Sequence, residues 1–227
     1  MSDKRRAVAI DGPSGAGKST LARAVAKELG FRYVDTGAIY RTVGCAAHRK
    51  GLDPGDAAAI EALLGELQVE MTYDGEGLQH MLLNGEDVTK EIRLPEISLY
   101  ASRVSAIPAV RAFLLEMQRE MARKYDVIMD GRDIGTVVLP QADVKIFLTA
   151  SPEDRARRRY LELQQRGTPQ DYDQLLAEIR ERDYNDSHRS SAPLRPAADS
   201  ILLDTTDNTF AQSCALLRRT IEERLGR

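Results

Sequence analysis

The chain has 227 residues, of which 42% are hydrophobic, 30% are charged and only 5% are aromatic. This composition is typical of one folded domain and excludes a disordered or fibrous chain. The formal net charge is -3 at pH 7, so there is no overall basic field that would attract nucleic acid or an anionic membrane. Any affinity for phosphate must therefore be local.

No stretch approaches the roughly 18 to 20 apolar residues that a membrane-spanning helix requires, and the apolar run at 7–10 is too short for a signal peptide. The two cysteines, Cys45 and Cys214, lie far apart without a paired spacing. Such spacing favours neither a disulfide scaffold nor a zinc module. We therefore expect a cytoplasmic protein without a membrane partner.

Short apolar runs alternate with longer helical patterns along the chain, and they lie at 7–10, 31–34, 127–129, 144–148 and 201–203. This alternation predicts an α/β fold with a parallel sheet flanked by helices. Two apolar stripes are expected to face the core. They are Leu21, Val25 and Leu29 in the first helical pattern and Val110, Phe113, Leu114, Met117 and Met121 in the pattern after Pro108.

Two segments depart from this alternation. Between about 69 and 88, the turn signals Asp74-Gly75 and Asn84-Gly85 favour tight hairpins, because these residues tolerate positive φ, and they predict a small antiparallel insert. The segment 151–195 is rich in arginine and acid and poor in aliphatic residues, which predicts a mobile, solvent-exposed flap of two polar helices broken at 167–169. The final stretch, 209–225, predicts a closing amphipathic helix.

A glycine-rich loop directly follows the first predicted strand and precedes the first predicted helix. Residues 12–19 read GPSGAGKS and match the pattern G-x-x-x-x-G-K-[ST] in full. Backbone N–H groups of such a loop converge on phosphate, Lys18 would bridge the β- and γ-phosphates, and the Ser19 hydroxyl would help to hold magnesium. The residues expected to bind ATP are Gly12, Pro13, Ser14, Gly15, Ala16, Gly17, Lys18, Ser19 and Thr20. The alternative is a glycine-rich turn without a ligand.

This loop does not by itself name a function, because GTPase switches, motor ATPases and small kinases share it. The guanine-specific pattern N-K-x-D is absent from the sequence, and large ATPases need more chain than this one has. What remains is a small phosphotransferase that acts on a separate acceptor.

Two further predicted strands end in polar segments, DTGAIYR at 35–41 and DGRDIG at 130–135. Ligands bind at the carboxyl ends of strands in open α/β sheets, and an acid with an arginine there is suited to magnesium and phosphate. The alternative for each segment is a surface turn with solvated charges. Both segments together favour an acceptor site.

The flap carries arginines at helical spacing. Ser151 and Pro152 begin its first helix, on which Arg155, Arg158 and Arg159 share one face. A mobile helix could deliver these arginines to the charge on a phosphoryl group in transit, although a solvated charged helix is the alternative. A second set, Arg182, Asp186 and Arg189, falls at spacings of four and seven, which is also compatible with a plain ion pair.

Several segments together resemble bacterial cytidylate kinases: IDGPSGAGKST, VDTGAIYR, DGRDIGTVV, KIFLTAS, RARRR and ERDYNDSHRSSAPL. The second and third separate this family from adenylate, guanylate and thymidylate kinases. The resemblance implies a P-loop NTPase-type sheet of five parallel strands, a monophosphate-binding lobe with an antiparallel insert, and a helical lid. In one kinase domain, 1–227, the core would comprise about 1–37, 104–150 and 196–227, the lobe about 38–103, and the lid about 151–195.

The resemblance also implies the substrates, CMP or dCMP as acceptor and ATP with Mg²⁺ as donor, and it implies roles for individual residues. The acceptor phosphate would lie near Thr36, Arg41 and Arg132, the cytosine near Ser102, Arg111 and Asp133, and the sugar and phosphates near Arg182, Asp186 and Arg189. The residues expected to act in catalysis are Lys18, Arg132, Arg155, Arg158 and Arg159. Magnesium would be held by Ser19, with Asp130 or Asp35 through water. Thr36 stands where some members of the family have serine, which keeps the hydroxyl.

The expected chemistry needs no general base, because a phosphate monoester is largely dianionic at pH 7. The histidines, His48, His80 and His188, are therefore interpreted as ordinary polar residues. One alternative is a P-loop kinase for another nucleoside monophosphate or a small metabolite. Another is a nucleotide-dependent nucleic-acid-binding module, but acids interleaved with the arginines would repel a phosphate backbone. We expect a monomer that does not bind nucleic acid.

Overall fold

A computed structural model of the chain describes residues 5–226. Its strands are β1 (Ala7–Asp11), β2 (Arg32–Asp35), β3 (Val69–Tyr73), β4 (Gln79–Leu83), β5 (Glu86–Asp87), β6 (Val127–Gly131), β7 (Val144–Thr149) and β8 (Ile201–Asp204). Its α-helices are α1 (Lys18–Leu29), α2 (Thr36–Arg49), α3 (Ala57–Leu64), α4 (Pro95–Val104), α5 (Pro108–Lys124), α6 (Pro152–Gln165), α7 (Tyr172–His188) and α8 (Phe210–Leu225). A 3₁₀ turn at Glu91–Arg93 and a π-helical turn at Ile134–Val138 complete the elements.

The five predicted strands form one parallel sheet in the order β2-β6-β1-β7-β8. β1 lies in the middle, and each of its two neighbours comes much later in the chain. The loop after β1 therefore opens beside the carboxyl ends of β6 and β7, which is where ligands bind in such sheets. The predicted fold class is confirmed.

Helices cover both faces of this sheet, and each face has its own core. One core joins the sheet to α2, α4 and α5, and the other joins it to α1 and α8. Leu21 and Val25 are buried as expected, and Leu29 is half-buried against the second core. The prediction was wrong for Phe113, which is 38% exposed, because the buried face of α5 passes through Val110 and Leu114 instead.

The predicted antiparallel insert is present as the sheet β3-β4-β5. Asn84 and Gly85 have φ values of 51° and 83°, the conformation that a tight two-residue turn requires. The tight turn predicted at Asp74-Gly75 was wrong. The loop runs over residues 74–78, the positive φ falls on Gly77, and the Asp74 carboxylate accepts from the N–H groups of Glu76 and Leu78.

The arginine-rich flap consists of the two predicted helices, α6 and α7, which pack against each other. The Ser151 side chain accepts from the N–H of Asp154 and so caps α6. The expectation of a solvent-exposed flap was wrong at its base, where Asp154 is 5% and Arg155 is 3% exposed. Both are buried because each charge has an ionic partner there.

None of the helices within residues 5–226 has both the length and the apolar composition needed to cross a bilayer.

Candidate functional site

The loop at 12–19 takes a conformation that only glycine allows. Gly12 has a φ of 151°, and a Cβ there would lie 1.9 Å from the backbone oxygen of Leu148. Gly17, with a φ of 85°, precedes the first residue of α1. The loop thus brings the N-terminus of α1, with its unpaired N–H groups and positive dipole end, to the centre of the sheet edge, where an anion is stabilised.

Lys18 lies inside the loop. It is 5% exposed, and its Nζ donates to the backbone oxygen of Pro13 at 2.7 Å. Burial and the nearby guanidinium of Arg132 lower the pKa of Lys18 to about 7, against the opposing pull of Asp130 and Asp11. A bound phosphate would supply the negative charge that favours the protonated amine.

The side chain of Ser19, at the start of α1, lies against that of Asp130 in β6. The Ser19 hydroxyl donates to Oδ2 of Asp130 at 2.8 Å, and the Tyr33 hydroxyl donates to the other carboxylate oxygen at 2.8 Å. Burial and the nearby Asp35 carboxylate raise the pKa of Asp130. A hydroxyl beside carboxylates is the hard oxygen donor set that Mg²⁺ prefers, so these residues fit the ion.

The end of β2 and the start of α2 form the neighbouring part of the site. The Asp35 carboxylate accepts from the N–H of Ala38 and thereby caps α2. The Thr36 hydroxyl donates to the backbone oxygen of Asp130 at 2.7 Å and so ties α2 to β6. Arg41, one turn into α2, lies 3.3 Å from Oδ2 of Asp35.

These elements surround a cavity of about 400 Å³. It runs from the phosphate loop to α4 and α5 and is bounded by α7. All nine expected acceptor-binding residues line it together: Thr36, Arg41, Ser102, Arg111, Arg132, Asp133, Arg182, Asp186 and Arg189. Of the expected loop residues, Ser14, Gly15, Gly17, Lys18, Ser19 and Thr20 line it as well.

Three buried arginine nitrogens at this cavity have no hydrogen-bond partner within residues 5–226. They are Nε of Arg41, Nε of Arg182 and Nη2 of Arg189. Burial lowers the pKa of each of these arginines, although nearby carboxylates oppose the effect. Buried donors without acceptors cost free energy, so the arrangement favours the binding of an anion with several oxygens.

The far end of the cavity contains a buried ion pair between Arg111 of α5 and Asp133, which follows β6. Arg111 also donates to the backbone oxygen of Ser105 at 3.2 Å and lies over the Tyr40 ring, 5.5 Å from its centroid. Asp11 fixes the backbone after Asp133, because its carboxylate accepts from the N–H groups of Ile134 and Gly135, each at 2.7 Å. Burial raises the pKa of Asp11 to about 6. This end presents donors and acceptors side by side, as recognition of a nucleobase edge requires.

The three expected lid arginines do not line the cavity in the part of the chain that is described. Arg155 donates to the backbone oxygen of Ser14 and pairs with Asp183 of α7 at 2.6 Å, so it joins α6 and α7 to the loop at 12–19. Arg158 pairs with Asp154 and donates to the backbone oxygen of Thr205. Its Nη1 lies 3.9 Å from the position that a Cβ on Gly17 would take.

Arg159 is the most exposed of the three and pairs with Glu162 at 3.1 Å. Glu162 itself lines the cavity, together with five other residues that the sequence analysis did not assign: Gly37, Tyr40, Ser98, Ala101 and Ser105. Tyr40 lies within the segment 35–41, which the sequence analysis assigned to the acceptor side, and this position was the signal that could have identified it. Ser98 lies on α4, four positions before Ser102, and Ser105 lies just after α4, three positions beyond Ser102. This helical spacing from Ser102 was the signal that could have identified both residues.

The histidines stay outside the cavity among the described residues. His48 packs edge-on against Tyr100, and His188 stacks on Tyr184 with ring centroids 4.0 Å apart. The His80 nitrogens lie 2.9 Å from Asp87 and 3.3 Å from Asp74, which raise the pKa of His80. Their positions agree with the interpretation as ordinary polar residues.

The family model described as Cytidylate kinase matches residues 8–223. The cytidylate kinase of Pelotomaculum thermopropionicum is 54% identical over 197 residues, which are 87% of this chain and 87% of that protein. The cytidylate kinase of Syntrophotalea carbinolica is 48% identical over 217 residues, 96% of this chain and 92% of that protein. The cytidylate kinase of Mycobacterium leprae is 50% identical over 220 residues, 96% of each chain. A solved structure from Eubacterium ventriosum, 12% identical, is similar in fold, with a TM-score of 0.52 over 99% of this chain and 100% of that chain.

Proposed function

The chain belongs to the cytidylate kinase family, and we propose that its cavity transfers the γ-phosphoryl group of ATP to CMP or dCMP, giving ADP and CDP or dCDP. The observation that carries this proposal is the continuity of the cavity. It joins a phosphate loop at one end to the Arg111–Asp133 pair at the other, with unpartnered arginine donors between them. A donor nucleotide and a smaller acceptor nucleotide would meet phosphate to phosphate in such a space.

The main barrier to this reaction is electrostatic, because two anions must approach in line. The attacking phosphate oxygen is already ionised at neutral pH, so no side chain has to remove a proton. Lys18, Arg132 and Arg182 would offset the repulsion between the phosphates. We propose that Arg155, Arg158 and Arg159 complete this charge when the lid moves on substrate binding, while the lid excludes water.

Magnesium is the metal that fits the oxygen ligands at the start of α1. Ser19 and Asp130 would hold it, with Asp35 acting through water. When bound, the ion supplies positive charge that neutralises the phosphate oxygens as the bond to the γ-phosphoryl group breaks. The hydrogen bond between Ser19 and Asp130 already places both ligands side by side.

Selection of cytosine would come from the buried pair at the far end. Cytosine offers acceptors at O2 and N3 and a donor at its amine, so Arg111 can face the acceptors while Asp133 and Ser102 face the amine. Thr36 and Arg41 would hold the acceptor phosphate, and Asp186 and Arg189 would approach the sugar and phosphates. Support comes from the convergence of these side chains on one cavity.

The proposal includes the division into a core, a monophosphate-binding lobe at about 38–103 and a lid at about 151–195. It also includes a monomer that does not bind nucleic acid. The arginines of α6 support the last point, because Arg157, Arg159 and Arg166 each pair with an acid rather than forming a free basic strip.

The proposal is tested by measuring ADP formation from Mg-ATP with CMP, dCMP, UMP, AMP, GMP and no acceptor. We expect turnover with CMP and dCMP that is lost in Lys18→Met and retained in Lys27→Met, because Lys27 is an exposed lysine on the same helix. ADP formation only in the absence of an acceptor, or with none of the five, would refute the acceptor assignment.

A further inference from the structure

The edge of the parallel sheet at β2 is completed by side chains. β2 pairs only with β6 within residues 5–226, so its other edge presents backbone groups that need partners. These partners come from the antiparallel insert (residues 69–88). The Tyr73 hydroxyl donates to the backbone oxygen of Tyr33 at 2.9 Å. The Gln79 side chain accepts from the N–H of Asp35 at 2.7 Å and donates to its backbone oxygen at 3.2 Å.

Tyr73 and Gln79 are directly opposite each other in the β3–β4 ladder. A single cross-strand pair of the insert therefore holds the last residues of β2, in the way that a neighbouring strand would. Because the bonds to Gln79 end on Asp35, they fix the residue at which the strand changes into α2 and the acceptor side of the cavity begins.

The Asp35 carboxylate, like the backbone of this residue, is fixed by several contacts. Its Oδ1 caps α2, and its Oδ2 lies 2.9 Å from Nη1 of Arg93 and 3.3 Å from Nη2 of Arg41. Burial raises the pKa of Asp35, but the two guanidinium groups outweigh this effect and hold the pKa below its usual value. Arg93 belongs to the 3₁₀ turn that follows the insert and is 44% exposed, whereas Arg41 lines the cavity.

Two cations therefore compete for one carboxylate oxygen, and only one of them faces the substrate. If Arg93 neutralises Asp35, the Arg41 guanidinium keeps unpaired N–H groups for an anion, as its free Nε indicates. Without Arg93, Arg41 would be the only guanidinium left to neutralise the buried carboxylate, and it would be drawn away from an incoming phosphate.

We propose that the insert, through Gln79, and the 3₁₀ turn that follows it, through Arg93, position the acceptor side of the cavity, because both residues hold Asp35 and thereby leave Arg41 free for the acceptor phosphate. This role rests on the proposed kinase function and adds two positioning residues to it. Neither residue lines the cavity in the described range, so each acts through Asp35.

The experiment measures kcat and KM for CMP and for ATP in the purified full chain. In Arg93→Ala we expect KM for CMP to rise about tenfold, and in Gln79→Ala about fivefold, with KM for ATP within about twofold of the wild type. Arg93→Lys keeps the charge and should recover most of the affinity for CMP. In combination with Arg41→Ala, the change Arg93→Ala should add little, because its effect passes through Arg41.

The matched control is His80→Ala, because His80 follows Gln79 on β4 and its ring nitrogens lie against the exposed Asp74 and Asp87. It should leave both KM values unchanged. Unchanged KM for CMP in both test variants, a parallel rise of both KM values, or additivity with Arg41→Ala would overturn the role of the insert. The comparison is made with whichever acceptor the wild type turns over, so failure of the cytidylate assignment is a separate result.

Discussion

Nε of Arg132, at the end of β6, lies 2.8 Å from Oδ2 of Asp186 on α7, and both side chains line the cavity. This contact joins the segment after β6 to α7. Burial raises the pKa of Asp186, but Arg132 and the neighbouring Arg182 and Arg189 outweigh it and hold the pKa below its usual value. Asp186 therefore provides negative charge among cationic groups that await a phosphate.

The first prediction concerns this charge balance. Asp186→Asn should destabilise the free enzyme by about 2 kcal/mol, or roughly 4–8 °C in Tm, because the surrounding guanidinium groups lose a buried anion. Inorganic phosphate should restore Tm in this variant more than it raises Tm in the wild type, since the added anion takes over the missing charge. Thermal unfolding with and without phosphate measures both effects.

Asp183→Asn is the matched control for that experiment. Asp183 lies on the same helix and pairs with Arg155, but it does not line the cavity within residues 5–226. The Tm of this variant should also be lower than that of the wild type, but phosphate should not restore it. An equal response to phosphate in both variants would mean that Asp186 has no special relation to the anion site.

The second prediction concerns the base. Uracil carries N3–H and O4 where cytosine has N3 and an amine, so donors of the site would face donors and acceptors would face acceptors. Each mismatched pair costs about 1–3 kcal/mol, and kcat/KM for UMP should be at least about tenfold lower than for CMP. Steady-state kinetics with both acceptors tests this, and equal kcat/KM values would contradict the assignment of Arg111 and Asp133.

Much of the fold and of the site could be predicted from the sequence because the signals are local. The loop at 12–19 follows a buried strand, and polar residues after β2 and β6 must meet at one edge of a parallel sheet. The proximity of Arg111 and Asp133 came from the family resemblance rather than from spacing, since the two lie 22 positions apart on different elements.

Other contacts depend on how distant elements dock, which no local pattern encodes. The bonds of Gln79 and Arg93 to Asp35 form because the insert and the 3₁₀ turn after it pack beside β2. Similarly, helical spacing placed Arg155 on a face with other arginines, but its direction is set by Asp183, a residue on the following helix. Side-chain partners across an interface are decided by packing, not by periodicity.

The third prediction concerns protonation of Lys18. With its pKa lowered to about 7, this amine is mostly neutral at pH 8 in the free enzyme. A nucleotide phosphate beside it favours the charged form, so binding of ADP at pH 8 should take up close to one proton. The uptake should decline as the pH falls from 8 through 7, because the amine of the free enzyme is already mostly protonated at pH 6.

Isothermal titration calorimetry in buffers of different ionisation enthalpy measures this uptake directly. Lys18→Met should remove it, while Lys27→Met, an exposed change on the same helix, should leave it intact. ADP binding at pH 8 without proton uptake by the wild-type enzyme would show that burial does not suppress the charge of Lys18.

The fourth prediction separates a glycine that the site requires from one that it does not. In Gly12→Ala, the new methyl group would lie 1.9 Å from the Leu148 oxygen, at a φ of 151°. Relief of this clash would require β1 and β7 to separate, so we expect a loss of about 3 kcal/mol or more in the free energy of unfolding. In Gly75→Ala, the methyl group would meet open space at an ordinary φ, and stability should stay within about 0.5 kcal/mol. Urea unfolding of both variants measures this difference. Equal midpoints would mean that the loop can move away from β7 without a loss in the free energy of unfolding.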